Sequence, residues 1–370
     1  LTRGTKNRGR VQFARAVESL AGGIGGFSGR SSLGLSGSFL SSRFEEGMAL
    51  FLEALTEPAF DDEEVEKTRR ELLLAIKNRE DETSRLAFDL AFSTLYPTHP
   101  YGMTVLGQAA SVEKIGRSDL VSFYADTLDP SSLVVTVAGD VDSARVVELL
   151  EDGLGALEPA DNKFSLPDAA KPPKGPRQEF KASERKQAHI VVAYPGVDVK
   201  DPDRYPLSVV DTILSGQSGR LFYELRDRQS LAYAVGAFNI RGMAPGMFAA
   251  YIATDPANTE RALEGLLAEL GRMTDEEVSH NELERAKRYL VGNREIGLQS
   301  NGAIAEDMTF NELYGLGYLA GRKYAERVMA VSAADVRRVA AKYLDPSRGT
   351  RAVVGPAGIN PQPPAENPDQ

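Results

Sequence analysis

The sequence predicts an α+β fold made of two homologous α/β-sandwich-type domains from an internal duplication, the first truncated at its N-terminus. Three observations lead there. Residues 118–140, SDLVSFYADTLDPSSLVVTVAGD, recur as SAADVRRVAAKYLDPSRGTRAVVGP at 332–356, pairing Asp119 with Asp335, Asp129-Pro130-Ser131 with Asp345-Pro346-Ser347, and Gly139 with Gly355 at one offset of 216. A second match places EVEKTRRELLLAIKN, 64–78, on ELERAKRYLVGNREI, 282–296, at an offset of 218. Finally, helix-period and β-branched stretches are mixed within each copy, which predicts one helical layer on one sheet in each half. Two matches at nearly one offset mark a duplication rather than chance.

The elements follow in order. Helix 64–78 opens after the acidic stretch DDEE, and helix 282–296 after TDEE, both suited to cap a helix start. Each long repeat reads as a helix, a stop marked by Pro130 or Pro346, and a β-branched strand, with LVVTVAGD at 133–140 as the first of these strands. Between the copies, residues 158–186 are rich in Pro, Lys and Ala and read as a linker. The second copy starts with a strand, QAHIVVAYPGV at 187–197, and a helix at 203–216. Leu1 to Gly4 correspond to the end of that helix, so the strand and helix that open the first copy are expected upstream of Leu1. The domains are therefore 1–157 and 187–355, with a disordered tail at 356–370.

Composition narrows the chemistry. The chain has 370 residues, 42% hydrophobic and 26% charged, enough for two ordinary cores. A formal charge of −10 argues against nucleic acid as a partner, because a phosphate backbone needs a basic face. No apolar stretch approaches the ~20 residues of a membrane helix. With no cysteine, disulfides and thiolate metal sites are excluded. The chain begins at Leu1 without a methionine or a leader, so its start is expected to be a cut.

The most informative run is SGQSGRLFYELRDRQSLAYAV, 215–235. It fails as a phosphate loop, because Gly216 and Gly219 are three apart and Arg220 follows. It fails as a nucleophile elbow, because Gly216-Gln217-Ser218-Gly219-Arg220 lacks the final glycine. Locally it reads as a glycine turn between two helices, with Ser218 as a cap. Arg226 and Tyr233 are left over from that reading. A rigid guanidinium fork and a phenolic donor facing one cleft suit the carbonyl oxygen of an extended peptide.

With its flanks, this run resembles the second-domain signature of the pitrilysin/insulinase family of metallopeptidases, which includes the mitochondrial processing peptidases. In that family an arginine and a tyrosine in LR-x6-Y spacing bind substrate backbone opposite a zinc site carried by another domain. Arg226 and Tyr233 have that spacing. LTRGTKNR resembles the family's L-x-x-GT-x-x-R after the zinc helix, YPTHPYG at 96–102 a recurrent family segment, and LVVTVAGDVD at 133–142 the closing strand of its first domain. The resemblance covers nearly everything from Leu1 to Gly355.

It also implies a zinc site of H-x-x-E-H on a helix plus a distal glutamate, and here the chain departs from it. His99, His189 and His280 are far apart, none lies in such a motif, and each reads as structural or solvated. Catalytic relatives carry the distal ligand glutamate on the helix at 64–78, with a supporting glutamate seven residues before it. Those positions are Ala75 and Thr68, and the nearest substitute, Glu71, lies one turn away. No catalytic residue and no metal ligand is therefore assigned, and zinc is expected in a catalytic half or partner. The glycine run AGGIGGFSGRSSLGLSGSF, 21–39, reads either as a flexible turn entering a strand or as a sheet edge that an extended peptide joins.

The resulting expectation is the non-catalytic, substrate-binding half or partner subunit of a zinc metallopeptidase acting on unfolded peptides. Its partners would be a zinc-bearing homologous subunit or upstream half and an extended peptide. The rivals are a truncated active zinc metalloendopeptidase with H-x-x-E-H upstream, and a purely structural assembly subunit of the same family. The compartment expected is the bacterial periplasm or cell envelope.

Overall fold

The computed structural model of the chain describes residues 1–159, 167, 175–244 and 246–359. Most of the expected linker before 175 and the tail from 360 lie outside the described residues. The elements run α1 (Arg10–Ser19), β1 (Gly23–Ser28), β2 (Leu33–Ser38), α2 (Phe44–Thr56), α3 (Asp62–Glu80), α4 (Thr83–Leu95), a single turn α5 (Ala109–Val112), α6 (Arg117–Thr127) and α7 (Ser143–Leu154). After them come β3 (Arg177–Ala182), β4 (Ala188–Pro195), α8 (Arg204–Leu214), a π-helical segment (Phe222–Arg228), β5 (Ala234–Ile240), β6 (Met247–Thr254) and α9 (Thr259–Asp275). The chain closes with α10 (His280–Gly297), α11 (Asn301–Leu313), α12 (Tyr324–Met329), α13 (Ala333–Tyr343) and β7 (Thr350–Gly355). This is a mixed helix-and-sheet protein, as expected.

The predicted caps form. Asp61 Oδ1 accepts the N–H of Glu63 at 3.0 Å ahead of α3, and Ser279 and Glu282 bond reciprocally at the start of α10. Elements at the two offsets coincide. Helix α6 starts and ends 216 residues before α13, and α4 starts and ends 218 residues before α11. The turns after α6 and α13 are alike too, with Asp129 and Asp345 each accepting the N–H two residues on at 2.9 Å.

Two compact units result, and they do not follow the halves 1–157 and 187–355. One unit holds Leu1–Ile76, Val105–Ser165 and Gly297–Gly321; the other holds Lys77–Thr104, Leu166–Ile296 and Arg322–Gln370. Each unit thus takes a segment from the other half of the sequence.

In the second unit the strands lie in the order β3-β7-β4-β6-β5, with only the β3–β7 pair parallel. Strand β3 falls inside the expected linker, so that boundary is corrected: residues 177–182 are the edge of this sheet. The expectation of a single helical layer is also corrected. On one face, Ile190, Val192, Phe248 and Ile252 pack with Val209 and Ile213 of α8, Leu266 of α9 and Val336 of α13. On the other, Val191, Ala193, Ala249, Tyr251, Ala352 and Val354 pack with Ala87, Ala91, Phe92 and Leu95 of α4. Small residues on both sides let helix and sheet approach closely. The two-sided burial explains why β4 and β6 read as unbroken apolar runs instead of alternating ones.

The first unit has a smaller core, in which Phe13, Val17 and Leu20 of the α1 segment meet Leu50 and Ala54 of α2. Strands β1 and β2 form an antiparallel hairpin from Gly23↔Ser38 to Ser28↔Leu33, so the glycine run is strand on both sides of a turn. Helix α11 belongs to this unit: Phe310 meets Phe27 edge-on at 5.7 Å, and the hydroxyls of Tyr314 and Ser32 lie 3.1 Å apart. The strand expected at 133–140 does not form. Strand β7, 216 residues on, sits between β3 and β4, whereas residues 133–140 lie in no ladder with any strand among the described residues. A strand without a ladder partner has no hydrogen bonds to define it.

Candidate functional site

Helix α8 ends at Leu214, and Gly216, with φ +77°, turns the chain as only glycine does freely. After a tight turn closed by Gly219 N–H to Gly216 O at 3.0 Å, Leu221 and Leu225, both fully buried, anchor the next segment. From Phe222 to Arg228 that segment is π-helical, a wider coil that recurs at functional sites. Its base is tied down by Arg220, which grips Glu282 of α10 with two hydrogen bonds at 2.8 and 3.2 Å. The guanidinium holds the Glu282 carboxyl down at about 2. Beyond the coil, Ser230 sits at φ +53°, Leu231 N–H bonds Leu225 O at 2.8 Å, and Tyr233 leads into β5.

This geometry brings Arg226 and Tyr233 together, though through the main chain. Arg226 Nη1 donates to the Tyr233 carbonyl at 3.2 Å, and its guanidinium lies 4.9 Å from the Phe222 ring centre. Both side chains are exposed, Tyr233 by 57%, and neither enters a core. The neighbouring Arg228 is paired with Glu224 at 2.9 Å. Arg226 has no carboxylate partner among the described residues and keeps further N–H groups for a second acceptor.

Ser218 does not cap anything: its hydroxyl makes no hydrogen bond among the described residues. That expectation is corrected in favour of Ser215, whose Oγ accepts the Ala237 N–H at 2.7 Å and donates to the Ala237 carbonyl at 3.0 Å. Asp211 Oδ1, one turn earlier on α8, lies 3.2 Å from Ser215 Oγ as a second acceptor for the same hydroxyl proton. Burial, the largest effect there, lifts its carboxyl to about 6. Their i,i+4 spacing was visible in the sequence, but nothing there pointed to the strand they reach.

The zinc ligands implied by the resemblance do not fit the residues present. Ala75, Thr68 and Glu71 are all exposed on α3, and Glu71 is bound by Arg3 Nη2 at 2.6 Å. His99 Nδ1 accepts the Tyr101 N–H at 3.1 Å in its turn. His189 is held between Thr83 Oγ1 at 2.7 Å and the Tyr251 hydroxyl at 2.8 Å, pinning the start of α4 to the sheet. Burial pushes the pKa of both imidazoles down. His280 starts α10. Among the described residues no three His, Cys, Asp or Glu side chains gather as a metal site, and no helix is long and apolar enough to cross a membrane.

Comparison with known proteins now adds the lineage. Residues 1–109 match the family model described as insulinase, peptidase family M16, and residues 114–290 match the peptidase M16 inactive domain. An uncharacterized zinc protease of Streptomyces coelicolor is 27% identical over 368 residues, covering 96% of this chain and 79% of the relative. The beta subunit of the mitochondrial-processing peptidase of Bos taurus is 24% identical over 366 residues, covering 96% and 74%. The same fold is found in a peptidase M16 inactive domain from Pseudomonas fluorescens, with TM-score 0.86, 21% identity and coverage of 98% of this chain and 87% of that one. A protease from Helicobacter pylori has TM-score 0.87 at 20% identity, with coverage of 96% and 87%. Two models of one family together span most of the residues from 1 to 290, and the chain belongs to the insulinase family, peptidase family M16.

Proposed function

We propose that this chain is the non-catalytic, substrate-binding half or partner subunit of a zinc metallopeptidase that acts on unfolded peptides. One observation carries the reading: Arg226 is exposed, unpaired with any carboxylate among the described residues, and already aimed at a backbone carbonyl beside the exposed Tyr233. A guanidinium that holds one carbonyl of an extended chain has the donors to hold another. Charge-assisted hydrogen bonds of this kind contribute roughly 1.5–3 kcal/mol each. In this role the pair orients and polarises peptide carbonyls and supplies no nucleophile or proton acceptor. Zinc would reside in the partner or in an upstream half. The name of the processing-peptidase relative, a beta subunit, supports an assembly of more than one chain. The coincident offsets of α4 with α11 and α6 with α13 support an internal duplication as its origin. A bacterial envelope remains the compartment proposed.

A second reading, the active zinc peptidase with H-x-x-E-H upstream, is favoured by the zinc protease relatives. Ala75 and Thr68 in place of glutamates weigh against it. Zinc analysis of the purified chain tests the proposal: less than one-tenth of a zinc per chain is expected, and a stoichiometric, tightly held zinc overturns it. With a zinc-bearing homologous subunit supplied, Arg226→Ala is expected to lower cleavage of an unfolded peptide about ten-fold or more. Arg226→Lys is expected to rescue poorly, since an ammonium lacks the planar fork. Unchanged turnover, or a loss of melting temperature that accounts for the defect, returns Arg226 to a structural role.

A further inference from the structure

Strand β5 is the last strand of its sheet and bonds β6 on one side only. An edge strand presents a row of free N–H and C=O groups that accepts another extended chain unless something covers it. Here the row is taken up from within the chain. The Ser215 hydroxyl bonds both main-chain groups of Ala237, and the Asp211 carboxylate lies 3.2 Å behind that hydroxyl. Arg226 takes the carbonyl of Tyr233 at the strand's start. Tyr233 lies just ahead of the strand, and its own N–H bonds Ala253 O of β6 at 2.8 Å, so the outward row proper begins beyond it. Ala237 is only 5% exposed, although it sits on an edge strand.

A serine hydroxyl both accepts and donates, so Ser215 imitates one residue of a neighbouring strand, which alanine or valine could not do. Asp211, one turn earlier and 3.2 Å from that hydroxyl, holds it in place. Neither side chain bonds the main chain of its own helix end, where a serine at a helix terminus is usually occupied.

We propose that Asp211 and Ser215 are an internal seal that closes the outer edge of β5 to an extended peptide strand. With the seal in place, this sheet meets a peptide through the side chains of Arg226 and Tyr233 and not by strand addition. The inference goes beyond the proposed function and does not rest on it, since it concerns main-chain groups that a purely structural subunit would also have to cover.

Hydrogen exchange on the full chain tests it directly. In Ser215→Ala, the amide of Ala237 is expected to exchange at least ten-fold faster than in the wild type, with β4 unchanged. Ser215→Thr keeps the hydroxyl and is expected to keep the protection, which guards against a general loss of structure. A fluorescent peptide of the β5 sequence, AVGAFNI, is then titrated into the wild type and the Asp211→Ala, Ser215→Ala double variant. At least ten-fold tighter binding to the double variant is expected. Protection that survives in Ser215→Ala, or equal peptide binding by both proteins, overturns the seal and leaves the edge covered by the body of α8 alone.

Discussion

Strand β7 and residues 134–139 occupy matching places at an offset of 216, and both end in glycine, Gly355 and Gly139. One is a fully paired strand in the middle of a sheet; the other makes no ladder at all. The difference is not in propensity, because VVTVAG is at least as β-branched as TRAVVG. It lies in the neighbours. Strand β7 has β3 and β4 on its two sides, and residues 134–139 pair with no strand among the described residues. A second matched pair, α4 and α11, makes the same point for helices. Helix α4 lies on the back of a five-stranded sheet with Ala87, Ala91, Phe92 and Leu95 buried; α11 meets a two-stranded hairpin and buries no residue fully.

The largest effect should come from that helix pair. Leu95→Ala empties a fully buried position and is expected to cost about 2–5 kcal/mol, whereas Leu313→Ala, at the matching half-buried position, should cost about 1 kcal/mol. Denaturant melts of the two variants measure this, and equal losses would erase the distinction. Next comes the strand pair: Val353→Ala is expected to lose about 1–3 kcal/mol and Val137→Ala no more than about 0.5 kcal/mol, read in the same melts.

Two buried titrating groups on opposite faces of the second sheet sharpen the comparison further. His189 has its pKa lowered by burial, so the unfolded chain takes up the proton first, and stability falls as pH drops below the ordinary histidine value of about 6.5. Asp211 has its pKa raised to about 6, so the folded chain holds the proton longer, and its contribution makes stability rise as pH drops from about 6 towards the unfolded value. His189→Gln should therefore remove an acid-side loss, and Asp211→Asn an acid-side gain. Melting temperatures between pH 4 and pH 8 test both signs. The smallest effect is reserved for Ser218→Ala, expected to stay within about 0.5 kcal/mol of wild type because its hydroxyl makes no bond among the described residues.

These contrasts also mark what could be read from residues alone. Capped helices such as α3 and α10 were legible because their signals are local. Arg226 and Tyr233 were legible as a pair because their spacing is fixed along the chain. The packing of α4 on the second sheet was not, since its apolar face says that it is buried and not where. The clue was the unbroken apolar run of β4, Ala188 to Tyr194, which needs cover on both faces. Ser215 escaped for a similar reason: its partner, Ala237, is 22 residues away and offers only main-chain groups.

The placement of α4 sets a timetable for synthesis. Its last residue, Leu95, leaves the ribosome long before Thr350, the first residue of β7, exists, and that gap is 255 residues. At roughly 5–20 residues per second, α4 waits for about 13–50 s for β7, the strand that completes its cover. For that interval Ala352 and Val354, which pack on α4, are missing from its cover. The second compact unit cannot close until β7 has been made.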